Sequence, residues 1–231
     1  MADDRVPAPR WLAEHEAAFR AAGRTPVTPR LAAKVVLLRP AAVELAEPEA
    51  PQFEVCLQRR VATMAFAPGM YAFPGGSVDR TDYEPDVPDS DDSMAVRMAL
   101  PADAARAVLR AAVRELDEEA GVRLHVHALV PWARWLTPEF EPKRFDAFFF
   151  VAAMPAGQSA RGDTESDHML WLPPGAALGL PMLPPTRYTV AELARFPDVA
   201  SVLAAGNARD VSAPVRPLIE VDADGAWVRL S

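Results

Sequence analysis

The spacing of apolar positions changes several times along the chain, and each change marks an element. "PRWLAEHEAAFRAAG" places apolar residues at helical intervals between charged ones and predicts an amphipathic helix that stops at Gly23, before the extended "RTPVTPR". "LAAKVVLLRP" and "QFEVCLQRRV" are β-type runs, and "MYAF" is a short strand entering the tight turn "PGG". Residues 81–95, "TDYEPDVPDSDDSMA", are acidic, proline-bearing and poor in apolar side chains, which predicts a solvated, mobile loop. "PADAARAVLRAAVRELDEEA" is a strong helix pattern, with Pro101 suited to the first position, Asp103 to the first turn and Gly121 to the stop. Beyond it, "VRLHVHALVPWARWLTP", "RFDAFFFVAAMP" and "HMLWLPP" predict strands, and "TVAELARFPDVASVLAAG" predicts one or two short helices. "PLIEVDADGAWVRL" predicts a hairpin turning at Asp224 and Gly225. No internal repeat is present. Strands interrupted by helices predict an α/β domain around a mixed sheet.

Composition narrows the classes. The 231 residues suffice for a proper core, and half of them are hydrophobic. A net charge of -8 argues against general nucleic-acid or anionic-membrane binding, while local basic spots remain for a small phosphorylated ligand. Cys56 is the single cysteine, so no intrachain disulfide forms, and its place in "FEVCL" predicts core filling. "MADDRVPAPR" lacks the basic and apolar regions of a signal peptide. "FDAFFFVAAMPAG" is the strongest apolar run and is too short to span a bilayer. The expectation is a soluble, cytoplasmic protein.

Chemistry concentrates in one helix. Glu115, Glu118 and Glu119 are spaced i, i+3 and i+4 and share a face, bordering the apolar stripe of Val108, Ala112 and Leu116. The last turn of a helix repels carboxylates by roughly 0.3–1 kcal/mol each, and their mutual repulsion adds to this. A hard divalent cation, magnesium or manganese, removes the conflict because it prefers clustered oxygen ligands. From spacing alone, a solvated glutamate-rich face remains the alternative.

"RELDEEAGV" resembles, residue for residue, the core of the Nudix hydrolase signature, with Arg114, Glu115, Leu116, Glu118, Glu119, Gly121 and Val122 in register. Upstream, "FPGG" at 73–76 resembles the start of the same signature. The family's first glutamate position falls on Asp82, and an insertion over 82–100 separates it from Arg114. An insertion at this place resembles the peroxisomal coenzyme A diphosphatase branch. "WARWLTPEFEPKRFDAFFFV", "MLPPTRYTVAELARF" and "PLIEVDADGAWVRL" resemble segments of that branch in the same order. The resemblance implies a Nudix-type α/β/α sandwich over 30–231, preceded by an N-terminal helix and linker over 1–29. C-terminal helices and a hairpin occupy 185–231.

The resemblance further implies metal-dependent cleavage of a diphosphate linked to a nucleoside. Carried over by position, Glu115, Glu118, Glu119 and the Gly76 carbonyl are metal ligands for Mg2+ or Mn2+, and Arg114 orients Glu115. A surface arginine is the alternative for Arg114. Glu165 in "GDTESDHMLW" is the candidate general base and Glu115 its rival, with Glu139 and Glu141 as weaker candidates. Arg59, Arg60, Lys143 and Arg144 are candidate phosphate contacts, with plain surface charge as the alternative. The basic-and-glycine pattern of coenzyme A-cleaving members keeps Arg60 and Gly69, but its second arginine falls at Ala65. Trp135 or Phe140 offers a stacking surface for adenine, with buried packing as the alternative. His125 and His127 alternate in a predicted strand, where ordinary strand positions are the safer reading.

The expected substrate is coenzyme A or acyl-coenzyme A, giving phosphopantetheine and adenosine 3′,5′-bisphosphate. ADP-ribose, NADH or a nucleoside triphosphate is the enzymatic alternative, and a Nudix-fold ligand sensor without turnover is the non-enzymatic one. The expected partner is a small-molecule nucleotide, with no nucleic acid and no membrane, and a homodimer remains open.

Overall fold

The computed structural model describes residues 5–7, 10–41, 51–61, 69–83, 93–161, 166–222 and 225–230. Its centre is a mixed sheet of β2 (Arg30–Pro40), β3 (Phe53–Arg60), β4 (Tyr71–Ala72), β5 (Val130–Leu136), β6 (Phe145–Ala153) and β7 (Ser166–Leu172). The strand order is β4-β3-β2-β6-β5, with β7 added against β3. β2 and β6 run parallel in unbroken register from Arg30↔Phe145 to Leu38↔Ala153, and the neighbouring pairs are antiparallel.

The near-continuous apolar runs of β2 and β6 are explained by a sheet covered on both faces. Val35 and Leu37 pack on one side with Phe148 and Phe150, against Val108, Ala112 and Leu116 of helix α3 (Ala102–Ala120). Val36 and Leu38 face the other side with Phe149 and Val151. There they meet Val190 and Leu193 of α5 (Pro184–Leu193) and Val202 of α6 (Val199–Asn207), beside the short α4 (Pro174–Ala177). The result is the α/β/α sandwich that the sequence predicts.

The N-terminal helix α1 (Arg10–Ala21) forms as predicted and is followed by Gly23 at φ 58°. It packs on a small second sheet in which β1 (Arg5–Pro7) pairs with β9 (Gly225–Leu230), and β9 with β8 (Pro217–Asp222). β8 and β9 are the expected hairpin, whose predicted turn residue Asp224 lies outside the described residues. β1 has no counterpart among the sequence expectations, because three residues carry no readable alternation.

Three expectations need correction. The segment read as a solvated loop, 81–95, runs at its end into a helix, α2 (Ser93–Met98), whose Met98 is fully buried. A short 3₁₀ turn over Arg80–Tyr83 buries Asp82 just before it. His125 and His127 do not lie in a strand: Val126–Ala128 is a 3₁₀ turn, and His125 accepts a hydrogen bond from the His127 backbone N–H. That local side-chain bond competes with strand pairing, and β5 starts only at Val130. Pro101 is the N-cap of α3 rather than its first helical residue. Among the described residues, no helix is long and apolar enough to cross a membrane.

Candidate active site

After β4 the chain enters the turn Phe73-Pro74-Gly75-Gly76, which backbone bonds hold against β2. The Val35 N–H donates to the Pro74 carbonyl and the Ala33 N–H to the Gly76 carbonyl, both at 2.9 Å. Lys34 Nζ donates to the Gly75 carbonyl. Gly75 has φ 136°, and a Cβ there would lie 2.8 Å from Lys34 Cα. A Cβ on Gly76 would lie 2.6 Å from Glu115 Oε2. Gly75 is therefore demanded by its close approach to the backbone of strand β2, whereas a side chain at Gly76 would push the Glu115 carboxylate out of its place.

Helix α3 carries its glutamates into this turn. It ends where Gly121 takes a left-handed φ of 64° and its N–H bonds the Asp117 carbonyl at 2.9 Å. Glu119 is buried, and its Oε2 accepts from the Gly75 N–H at 2.6 Å and from Gln58 Nε2 at 2.7 Å. Glu115 is half-buried, and desolvation raises its pKa against the opposing pull of Arg114. Glu118 is the exposed member of the three.

Arg114 binds this cluster together. Its Nη1 donates to Glu115 Oε1 at 2.9 Å and to Glu118 Oε2 at 3.0 Å. On its other side Nε and Nη2 form a fork onto the buried Asp82 carboxylate, at 3.1 and 2.9 Å. That bond to Asp82 is the main reason its pKa is driven above the ordinary arginine value. Arg110, one helical turn earlier, donates to the Asp82 backbone carbonyl at 3.1 Å. The turn before the insertion is thus fastened to α3, and the long insertion does not displace its acidic residue from the arginine.

A match to the NUDIX domain family spans residues 38–193, about two-thirds of the chain. The chain belongs to the Nudix family. With that membership comes the enzyme class, a hydrolase acting on pyrophosphate bonds. A Nudix hydrolase from Alicyclobacillus acidocaldarius is 24% identical, with 81% of this chain and 99% of that chain covered at a TM-score of 0.62. That likeness is one of fold. A C. elegans Ap4A hydrolase in a binary complex is 16% identical, covering 76% of this chain and 98% of that one at a TM-score of 0.47. The NUDIX domain of Shewanella oneidensis NrtR, complexed with ADP ribose, is 17% identical, covering 79% and 96% at a TM-score of 0.46. No curated protein matches this chain.

The Nudix carboxylates open on a cavity of about 630 Å³, a volume suited to a small-molecule ligand. Arg114, Glu115, Glu118, Glu119, Gly75 and Gly76 line one part of its wall, together with Lys34 and Arg60. All the side-chain donors of the glutamate set are oxygens, the chemistry a hard divalent cation requires. Among the described residues they do not already converge as a ready-made group of three, because Arg114 Nη1 stands between Glu115 and Glu118. The donor set fits the cation provided that Arg114 gives up the exposed Glu118.

The remaining predicted residues divide. Arg60 and Lys143 line the cavity, whereas Arg59 does not. Arg144 is buried, and it donates to the backbone carbonyls of Thr137 at 3.1 Å and Val27 at 2.9 Å. Its guanidinium secures the loop before β6 rather than facing the carboxylates. Trp135 is buried on the cavity wall, and Phe140 is not part of that wall. Glu165, the candidate base, lies outside the described residues. Gln58 was missed by sequence reasoning, since a glutamine in an apolar strand carries no motif. Glu141, a weaker candidate for the base in the sequence, is buried on the cavity wall, where burial raises its pKa.

Proposed function

We propose that the chain hydrolyses the diphosphate linkage of coenzyme A or an acyl-coenzyme A, releasing phosphopantetheine and adenosine 3′,5′-bisphosphate. The observation that carries the hydrolytic part is the lining of one cavity by Arg114, Glu115, Glu118 and Glu119 in the register of the Nudix signature. The coenzyme A part is supported by the insertion after Asp82 and by the three downstream segments that resemble the coenzyme A diphosphatase branch.

Glu115, Glu118 and Glu119 would hold Mg2+ or Mn2+, with the Gly76 carbonyl as a further ligand. Bound there, the metal supplies charge neutralisation of the diphosphate and a lowered pKa for the attacking water. Glu119 is presented in one orientation because two donors grip its Oε2. Arg114 fixes the rotamer of Glu115 while Asp82 fixes Arg114. Glu165 takes the proton of the attacking water, with Glu115 as the rival base, its pKa raised by burial above the ordinary carboxylate value. Arg60 and Lys143 supply positive charge on the cavity wall for substrate phosphates.

The test is a magnesium-dependent panel of coenzyme A, acetyl-coenzyme A, ADP-ribose, NADH and deoxynucleoside triphosphates, with products resolved by mass spectrometry. Phosphopantetheine with adenosine 3′,5′-bisphosphate as the dominant pair is expected. AMP with ribose phosphate would transfer the chain to ADP-ribose and leave the metal chemistry standing. Glu118→Gln and Glu119→Gln should each abolish turnover in a folded protein, and full activity in both would remove the ligand assignment. Binding without turnover by the unaltered chain would make it a ligand sensor.

A further inference from the structure

The sequence holds two lysines, Lys34 and Lys143, among 24 basic residues, and both line the cavity of the Nudix site. The chain otherwise uses arginine, so a compact ammonium on a flexible stem is kept for this cavity. Lys143 is exposed on the loop before β6, whereas Lys34 belongs to the sheet itself. Ala33, Val35 and Leu37 pack toward α3, and alternation along β2 turns Lys34 to the opposite face with Val36 and Leu38. On that face Lys34 lies beside Phe149 of β6, while Ala32 lies beside Ala147 and Ala147 beside Trp135 of β5. All five line the cavity, and Lys34 is the one charged residue of the five. A cation on an otherwise apolar strand face costs free energy unless its charge is met.

The end of the side chain shows where that charge is used. Lys34 Nζ donates to the Gly75 carbonyl, one peptide unit before the Gly76 carbonyl. Burial raises the pKa of Glu115, and Arg114 and Lys34 both pull against that rise, so the ammonium is felt at the carboxylate cluster. Arg114 spends its own donors on Asp82, Glu115, Glu118 and the Ser77 carbonyl. Three carboxylates outweigh one divalent cation, and a diphosphate brings further negative charge. An anionic ligand at this turn is therefore stabilised by a protein cation on the cavity side. An ammonium has three donors, so its bond to Gly75 leaves a phosphate contact within its capacity.

We propose that Lys34 is a substrate-binding residue, its ammonium donating to a non-bridging oxygen of the diphosphate at the Nudix turn. The inference rests on the diphosphatase reading and adds a residue to it. Lys34 lies before the segment 38–193 that matches the family, so family membership does not assign it a role.

The experiment uses Lys34→Met, which keeps the length of the stem and removes the charge. Calorimetry reads two affinities, for Mn2+ alone and for methylenediphosphonate, a diphosphate analogue that resists hydrolysis, in saturating Mn2+. Removing a cation acts in opposite directions on a metal and on an anion. Expected is a Kd for methylenediphosphonate raised about tenfold or more, with Mn2+ bound as tightly as before or more tightly. Tm should not fall, since an apolar side chain suits that strand face. Joint weakening of Mn2+ and diphosphonate binding overturns the proposal, because Lys34 would then only support the turn. Unchanged diphosphonate affinity overturns it too, as does an unaltered chain that does not bind the analogue. An unaltered chain that binds the analogue but hydrolyses nothing in the substrate panel refutes the diphosphatase reading instead, and the titrations still decide the placing of Lys34.

Discussion

Gln58 and Glu119 lie 61 positions apart in the chain and meet at 2.7 Å inside the core. The partner of a carboxylate must be the amide nitrogen, since a carboxylate only accepts, and so the orientation of Gln58 is fixed by chemistry. Gln58→Leu removes one of the two donors on Glu119 Oε2. Groups that orient metal ligands are worth about 10–100-fold in affinity or activity. Mn2+ titration of Gln58→Leu should show a loss in that range with Tm nearly unchanged; an unaltered Mn2+ affinity would mean that the Gly75 N–H alone suffices. Glu141 makes a different prediction. Burial raises its pKa above the ordinary carboxylate value, so the folded chain holds its proton more tightly than the unfolded chain does. Stability then falls as pH rises from the unfolded pKa through the folded one. Relative to the unaltered chain, Glu141→Gln should therefore gain Tm as pH rises above the ordinary carboxylate range, and thermal scans at a series of pH values check the sign.

At the level of elements, legibility followed the range over which each one is determined. Helix α3 was readable apart from its first residue, because its apolar stripe, its glutamates and the Gly121 stop are all local. β2, β3 and β6 were readable because burial on both faces leaves runs in which apolar residues predominate. α2 was not, since six residues following an acidic, proline-bearing stretch give no helical period, and its burial comes from packing against α3. The place of Asp82 was hidden for the same reason: only the folded chain shows that Arg110 and Arg114, on successive turns, reach back to it. Arg144 misled because charge suggests surface, whereas its donors are consumed by backbone carbonyls. α2 is an anchor rather than loop filler, with Met98 fully buried and Arg97 donating to the Gly206 carbonyl at 2.9 Å. Met98→Ala should cost about 2–5 kcal/mol in urea unfolding, the range for emptying a core site. A cost under about 0.5 kcal/mol would restore the picture of a solvated insertion.

For the whole molecule, Cys56 is a built-in reporter. It sits fully buried in β3, between two layers of side chains, and burial pushes its thiol up to about 12. At pH 8 a thiol reagent should leave the folded protein unmodified and react once the sheet opens, so the reaction rate should track the unfolded population through a denaturant series. Rapid labelling of the native chain would contradict that burial.

The pairing of β1 with β9 joins Arg5 to Arg229. Synthesis runs from one to the other, so β1 leaves the ribosome long before its partner strand exists. The Nudix turn and α3 can assemble while translation continues, but α1 has no β8 or β9 to rest on until residues 217–230 emerge. A chain stalled before Pro217 would carry the complete set of box glutamates beside a cavity that lacks the part of its wall built by Pro217, Ile219 and Val228.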